Sequence, residues 1–306
     1  MTRAADRTVW GEPLSGVLTE RARAKVNLTL HVRGRRADGY HDLESLVAFG
    51  DCADGLTLTP APNLALRVAG PRAAECGSLD DNLVLKAAHA LAERVPGLTM
   101  GTFELDKHLP AAAGIGGGSA DAAAALRLLA QANNLKSDDA RVAEAGRATG
   151  ADVPVCLRSS GCVMSGVGER LSAVSLPPLA AVLINPGVPV ATRDVFAALA
   201  LKPGDVFGAE QHAMPIAWPK TTSAADWIRA VASGRNDLEP PALHIQPVIG
   251  DALAALRGTE GCLLARMSGS GATCLGLFHS DVATQNAAQT IRAREPHWWV
   301  VATTLS

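Results

Sequence analysis

The chain has 306 residues and a formal net charge of −2, so it lacks the basic surface that binds nucleic acid or an anionic membrane. Apolar residues make up 48% and charged residues 19%, which is typical of a globular protein, and the length predicts two domains. Aromatic residues make up 4%, and no apolar run reaches the roughly 20 residues that span a bilayer. We therefore expect neither a nucleic acid partner nor a membrane partner.

The cysteines predict a reducing compartment. The chain has six, with no Cys-x-x-Cys pair and no histidine at zinc-finger spacing from them. This pattern predicts reduced, mostly buried thiols in a cytoplasmic protein. Residues 1–20 lack the apolar core of a secretory signal and are expected to form a flexible extension.

The first elements are predicted to be mainly strands. Residues 22–32 alternate, with polar side chains such as Lys25 and Asn27 on one face and apolar side chains on the other, as in a half-buried strand. Asp38-Gly39 predicts a hairpin turn before an ordered element at 40–49. The other predicted elements of this part are strands at 55–60 and 63–69, a helix at 82–94 and a strand at 99–105.

A glycine-rich segment at 109–120 is the most informative part of the chain. It reads Leu-Pro-Ala-Ala-Ala-Gly-Ile-Gly-Gly-Gly-Ser-Ala and runs into a helix that continues to about Ala132, with Ser119 as the expected N-cap. Glycine backbone and a helix N-terminus direct N–H groups toward an anion, which predicts a phosphate site. The alternative is a flexible loop that merely precedes a helix. No Lys precedes Ser119 as in a P-loop, and Ser119 replaces the third glycine of a dinucleotide motif.

The second half predicts a separate domain. Ser137-Asp138-Asp139 opens a helix that Gly150 closes, and Pro177-Pro178 marks a boundary between domains at 21–176 and 177–306. The further predicted elements are a buried strand at 179–184, helices at 222–232 and 246–257, a glycine turn at 267–273 and a strand at 298–304.

Five segments, in order from about residue 22 to 278, resemble the GHMP kinases. Residues 109–120 resemble the second motif of that family, 24–28 the first and 267–273 the third. Within the family, 33–41 and 150–155 are similar to the member that phosphorylates a cytidine-diphosphate-linked methylerythritol in the non-mevalonate isoprenoid pathway. The resemblance implies a two-domain α+β kinase, with an N-terminal domain like ribosomal protein S5 and a C-terminal ferredoxin-like α/β sandwich.

The resemblance implies ATP and Mg²⁺ as cofactors. The implied nucleotide-binding residues are Lys107, Pro110, Ala111, Ala112, Ala113, Gly114, Ile115, Gly116, Gly117, Gly118, Ser119 and Ala120. Magnesium is expected on the ATP phosphates, with Ser119 as a candidate ligand. For Lys107 the alternative is a solvated surface lysine. Ala112 and Ala120 depart from the family's glycine and second serine; Ala112 is expected to stiffen the loop if its φ is negative, and Ala120 removes a hydroxyl.

Lys25 and Asp152 are the predicted catalytic residues. Phosphoryl transfer needs positioning, charge neutralisation and an oriented hydroxyl. We expect Asp152 to take the hydroxyl proton or to stabilise charge electrostatically, with Lys25 as its cationic partner. The alternative for each is an isolated surface charge.

The predicted acceptor site follows from the same resemblance. Tyr40 is expected to stack on cytosine with Phe196 on its other face, while His41 bonds the base edge. Asn27 is expected at the erythritol phosphate end, and the further substrate-binding residues are Thr192, Ser268 and Gly269. The structural alternatives are that Tyr40 and His41 only pack against each other, that Phe196 is a core residue and that the turn with Ser268 and Gly269 is purely structural. The alternatives for function are a homoserine or mevalonate kinase and a nucleotide-binding protein without turnover. For assembly, we expect a monomer or a homodimer.

Overall fold

A computed structural model describes residues 16–136, 138–206 and 218–306. The strands are β1 Leu18–Asn27, β2 His31–Arg35, β3 His41–Pro60, β4 Ala65–Ala69, β5 Gly101–Asp106, β6 Cys162–Gly166, β7 Arg170–Ala173, β8 Leu179–Asn185, β9 Cys262–Met267, β10 Cys274–Phe278 and β11 Trp299–Leu305. The helices are α1 Leu83–Ala92, α2 Gly117–Ala132, α3 Ala140–Thr149, α4 Val153–Arg158, α5 Thr192–Ala197, α6 Ala224–Ser233, α7 Glu239–Ile245, α8 Val248–Arg257 and α9 Asp281–Arg294. Residues 1–15 of the predicted extension and Ser137 of the predicted helix start lie outside the described residues.

The long strand β3 organises the N-terminal sheet. It pairs antiparallel with β1, β2, β5 and β6, so the strand predicted at 55–60 is the end of β3. The extension predicted for 1–20 is wrong for its last three residues, because Leu18 pairs with Leu58 and Glu20 with Leu56. The single strand predicted at 22–32 is also wrong. The strand ends at Asn27, because the Leu30 N–H donates a hydrogen bond to Arg235 O at 2.8 Å and not to β3.

One face of this sheet is covered by α1–α4. Helix α2 packs against β1, β3 and the other three helices of this group. Its alanine run at 122–125 is completely buried, because alanine allows helices and strands to approach α2 closely from several sides. This packing fixes the helix whose N-terminus follows the glycine segment.

The C-terminal sheet confirms the ferredoxin-like prediction. Its strand order is β11-β8-β10-β9 and all of its pairs are antiparallel, while α8 precedes β9 and α9 connects β10 to β11. The two sheets join where Leu305 pairs with Gly50. The change of sheet falls between Ala173 and Leu179, the interval that contains the predicted boundary. Among the described residues, no helix has the length and apolar character needed to cross a bilayer.

Candidate active site

A cavity of about 680 Å³ lies where the two halves of the chain meet. The predicted site residues that line it are Lys25, Asn27, Ala112, Ala113, Gly114, Gly116, Gly117, Gly118, Ser119, Asp152, Thr192, Phe196 and Gly269. They come from β1, the glycine segment, the start of α4, α5 and the β9–β10 turn. The fold therefore brings together segments far apart in the sequence.

Lys25 and Asp152 form an ion pair in the cavity. The Lys25 Nζ atom lies 2.9 Å from Asp152 Oδ2, and the Lys25 side chain is buried whereas that of Asp152 is 41% exposed. Burial acts to lower the pKa of Lys25, but the charge of Asp152 and its hydrogen bond to the ammonium group outweigh it, so this pKa is raised. Lys25 is therefore a fixed cation, and Asp152 presents its carboxylate to the open space.

The glycine segment turns sharply against Lys25. Gly116 has a φ of +63° and is the N-cap of α2, which begins at Gly117. The prediction of Ser119 as the N-cap is therefore wrong, because the left-handed turn at Gly116 starts the helix earlier. Ser119 lies instead in the first turn and lines the cavity. A Cβ on Gly116 would lie 3.2 Å from Lys25 Cβ, so this glycine permits the close approach.

Ala112 adopts a backbone conformation that favours glycine. Its φ is +49°, so the expectation that this alanine stiffens the loop through a negative φ does not apply. A left-handed conformation costs an L-residue roughly 1–2 kcal/mol. The alanine at this position therefore strains the loop.

The glycine segment and the β9–β10 turn lock together. Ser268 Oγ accepts a hydrogen bond from Asn27 N at 3.0 Å and donates to Gly114 O at 3.0 Å. A Cβ on Gly114 would lie 2.6 Å from Ser268 O, so the two turns touch through their backbones. Ser268 itself is fully buried. The geometry therefore makes it a link between β1 and the two turns.

Asn27 has an amide whose orientation is fixed by its neighbours. Ser45 Oγ donates to Thr29 O at 2.5 Å, so it accepts from Asn27 Nδ2 at 2.7 Å. Asn27 Oδ1 is buried and has no hydrogen-bond partner among the described residues. Its free oxygen can accept a hydrogen bond but cannot donate one to a phosphate.

The aromatic residues are only partly arranged as predicted. The rings of His41 and Phe196 stack with centroids 4.6 Å apart, and Tyr40 is 66% exposed. Phe196 lines the cavity, whereas Tyr40 and His41 do not. Burial, with a contribution from the charge of Arg35, lowers the pKa of His41, so the ring is neutral at pH 7. His41 Nε2 is buried without a hydrogen-bond partner in the described part of the chain.

Lys107 occupies a different environment from the one predicted. It is 2% exposed, does not line the cavity, and places Nζ 2.6 Å from Asp54 Oδ2 and 2.7 Å from Asp121 Oδ2. The solvated surface lysine is therefore wrong. A direct contact to a nucleotide also does not fit this position, because protein carboxylates already surround the ammonium group.

Other predicted loop residues do not line the cavity either. These are Pro110, Ala111, Ile115 and Ala120, of which Ile115 and Ala120 are buried in the hydrophobic core. Sequence reasoning also missed some lining residues. Ser270 shares a 2.8 Å hydrogen bond with Thr192 and belongs to the glycine turn that was noted. The apolar walls carry no separate signal in the sequence, since each residue resembles an ordinary core residue: Leu30, Leu43, Leu83, Met164, Val167, Val190 and Leu238.

This fold and this cavity define a class of small-molecule kinases, with a glycine segment at a helix N-terminus facing a Lys–Asp pair. The chain belongs to the GHMP kinase family. The model of the GHMP kinases N terminal domain matches residues 82–160, and that of the GHMP kinases C terminal region matches residues 222–297.

Similar proteins indicate which member of the GHMP kinase family the chain resembles. The chain is 62% identical to a 4-diphosphocytidyl-2-C-methyl-D-erythritol kinase from Nitrobacter hamburgensis, over 94% of this chain and 96% of the relative. It is also 62% identical to a protein of the same name from Rhodopseudomonas palustris, over 94% and 97% of the two chains. The crystal structure of a 4-(cytidine 5'-diphospho)-2C-methyl-D-erythritol kinase is 33% identical, with a TM-score of 0.75 and coverage of 94% and 99%.

Proposed function

We propose that this chain transfers the γ-phosphoryl group of ATP to a hydroxyl of 4-diphosphocytidyl-2-C-methyl-D-erythritol, giving the 2-phosphate and ADP in non-mevalonate isoprenoid biosynthesis. The names and high identity of the relatives support this acceptor. The observation that carries the chemistry is the Lys25–Asp152 ion pair, which faces the glycine segment across one cavity.

The nucleotide phosphates bind at the N-terminus of α2. Backbone N–H groups of the glycine segment and the positive end of the helix dipole attract the anionic phosphates there. Mg²⁺ fits this place, because the Ser119 hydroxyl lines the same cavity and magnesium favours oxygen ligands shared with phosphates. Bound magnesium neutralises charge on the phosphates. The described residues contain no cluster of three or more His, Cys, Asp or Glu suited to hold a metal by itself.

Asp152 acts on the acceptor hydroxyl. Its side chain is open to the cavity, so Oδ1 or Oδ2 can accept the hydroxyl proton as the oxygen attacks phosphorus. Lys25 Nζ is held beside it and offsets the negative charge that develops on that oxygen. The side chain of Asp152 makes no capping hydrogen bond to α4. Its carboxylate is oriented instead by the ion pair with Lys25.

Asn27 orients the acceptor. Its free Oδ1 accepts a hydrogen bond from a hydroxyl of the methylerythritol part rather than contacting a phosphate. Because Ser45 and Thr29 hold the amide in one orientation, the site favours a donor at this point. This revises the expectation that Asn27 binds the phosphate end.

His41 and Phe196 recognise the cytosine. The exposed edge of their stack offers an aromatic surface, and a neutral imidazole both donates and accepts hydrogen bonds to a base edge. Tyr40 adds a further ring from the preceding residue. Base–aromatic stacking is worth roughly 1–3 kcal/mol per base, and neither homoserine nor mevalonate has such a base.

We place the enzyme in the cytoplasm, which its cysteines support. All six are free thiols, as expected in a reducing compartment.

An acceptor comparison tests the proposed function. ADP release from ATP with Mg²⁺ is measured with 4-diphosphocytidyl-2-C-methyl-D-erythritol and with the same sugar phosphate lacking the cytidylyl group. The intact acceptor is expected to give a kcat/KM higher by about 10-fold or more, as loss of base stacking predicts. Equal use of both compounds would refute the role assigned to the base.

A further inference from the structure

Lys107 lies at the base of the glycine segment, in a buried cluster of three charged residues. Its ammonium group is held by Asp54 from β3 and Asp121 from α2, at 2.6 and 2.7 Å. All three side chains are at most 4% exposed. We call Asp54, Lys107 and Asp121 the buried triad.

The buried triad connects both ends of the nucleotide loop, residues 110–116. Before the loop, Asp54 Oδ1 accepts hydrogen bonds from His108 N at 2.6 Å and Leu109 N at 2.8 Å, while Oδ2 accepts from Lys107. After the loop, Asp121 projects from the second turn of α2. The triad thereby ties the entrance and the exit of the loop to the same point on β3.

The ammonium group of Lys107 also packs against the first residue of α2. A Cβ on Gly117, the first residue of α2, would lie 3.3 Å from Lys107 Nζ. The other side of Lys107 is covered by the segment at 70–76, where Arg72 N donates to Lys107 O at 3.1 Å. Glu75 in that segment accepts from Ala111 N at 3.0 Å. The triad is therefore enclosed by protein and separated from the cavity by the loop.

We propose that Lys107 is a positioning residue, which fixes the nucleotide loop through Asp54 and Asp121, and not a ligand of the nucleotide. This inference rests on the proposed function, because it concerns how ATP is held. Correct N–H geometry at the loop requires that its two ends keep their separation and angle. The buried triad supplies that constraint, and it does so without contact to ATP.

The two carboxylates of the buried triad differ in their hydrogen-bond partners. Asp54 has partners for both oxygens, whereas Asp121 Oδ1 has no hydrogen-bond partner within the described ranges. The other titratable groups that affect Asp121 are the thiols of Cys76 and Cys156, and burial raises the pKa of both, so they are neutral at pH 7. In Asp121→Asn the side-chain oxygen still accepts a hydrogen bond from Lys107, and the ammonium group of Lys107 then faces the single carboxylate of Asp54. Asp121→Asn is therefore expected to disturb the loop less than changes at Lys107 and Asp54 do.

Calorimetric titration with Mg²⁺-ATP tests the inference in four variants. Lys107→Met and Asp54→Asn are expected to weaken ATP binding by roughly 10-fold or more, with KM for the acceptor little changed. Asp121→Asn, which keeps an oxygen acceptor for Lys107, is expected to weaken ATP binding clearly less than Asp54→Asn does. Lys86→Met, which removes a half-exposed lysine on α1, is the matched control and leaves binding unchanged.

Asp54→Asn separates positioning from direct contact. If Lys107 bound a phosphate, loss of a competing carboxylate would free its charge and keep or strengthen ATP binding. If Lys107 positions the loop, the amide group at 54 meets the ammonium group donor to donor and binding weakens. Unchanged or tighter ATP binding by Asp54→Asn overturns the inference. Should Lys107→Met fail to fold, the contrast between Asp54→Asn and Asp121→Asn carries the test. Failure of the wild type to bind ATP would instead refute the proposed function.

Discussion

Asp121 gives a quantitative prediction about stability and pH. Burial is the main cause that raises the pKa of this carboxyl to about 7; Lys107 opposes the rise and Asp54 adds to it. In the unfolded chain the pKa returns to its ordinary value of 3.8. Between these two values the native state binds a proton that the unfolded state does not, so the free energy of unfolding falls as pH rises through this window. One pKa unit corresponds to about 1.4 kcal/mol, so the interval from pH 5 to 8 contains about 2–3 kcal/mol of this effect.

Asp121→Asn removes this titration. Urea unfolding at pH 5 and pH 8 is measured for the wild type, for Asp121→Asn and for Asp81→Asn, which changes an exposed carboxylate next to α1. The wild type and the control are expected to lose about 2–3 kcal/mol more than Asp121→Asn between the two pH values. Asp54 and Asp121 share Lys107, so the difference reports the effect of removing the Asp121 carboxyl from this cluster. The same pH dependence in wild type and Asp121→Asn would refute the reasoning.

Three other changes test the catalytic pair, the base site and the loop. Asp152→Asn is expected to lower kcat by about 10²-fold or more with little change in ATP affinity, and near-normal turnover would exclude Asp152 from catalysis. Tyr40→Ala is expected to raise mainly KM for the cytidylyl acceptor in steady-state assays, and an unchanged KM would contradict stacking by this residue. Ala112→Gly relieves a positive φ worth roughly 1–2 kcal/mol but adds about 0.4–1 kcal/mol of unfolded-chain entropy. It is therefore expected to stabilise the protein by up to about 1.6 kcal/mol in urea unfolding, and clear destabilisation would argue against strain at this position.

The family-like motifs predicted which segments meet at the cavity. The glycine segment leads into α2, and Lys25 and Asp152 meet in an ion pair, as their motifs indicated. The polar face predicted for the first strand exists, but Lys25 and Asn27 on it are buried, because that face is covered where the two halves of the chain meet. The alternation of polar and apolar residues predicted which side chains share a face of the strand, but not that this face is buried.

Long-range contacts outside the five family-like segments were beyond what the sequence could predict. Lys107 meets Asp54, a residue 53 positions away, and the burial of that pair depends on how β3 and α2 pack. The positive φ of Ala112 likewise follows from the position of the loop against its neighbours, since alanine itself favours negative φ. His41 and Phe196 stack because α5 is brought against the start of β3.

A competition assay tests the central claim most directly. The purified protein is given ATP and Mg²⁺ with equal concentrations of 4-diphosphocytidyl-2-C-methyl-D-erythritol, homoserine and mevalonate, and mass spectrometry identifies which compounds gain a phosphoryl group. Asp152→Asn is run in parallel. The account predicts that the cytidylyl compound is phosphorylated almost alone and that Asp152→Asn slows this strongly. Preferential phosphorylation of homoserine or mevalonate would contradict it.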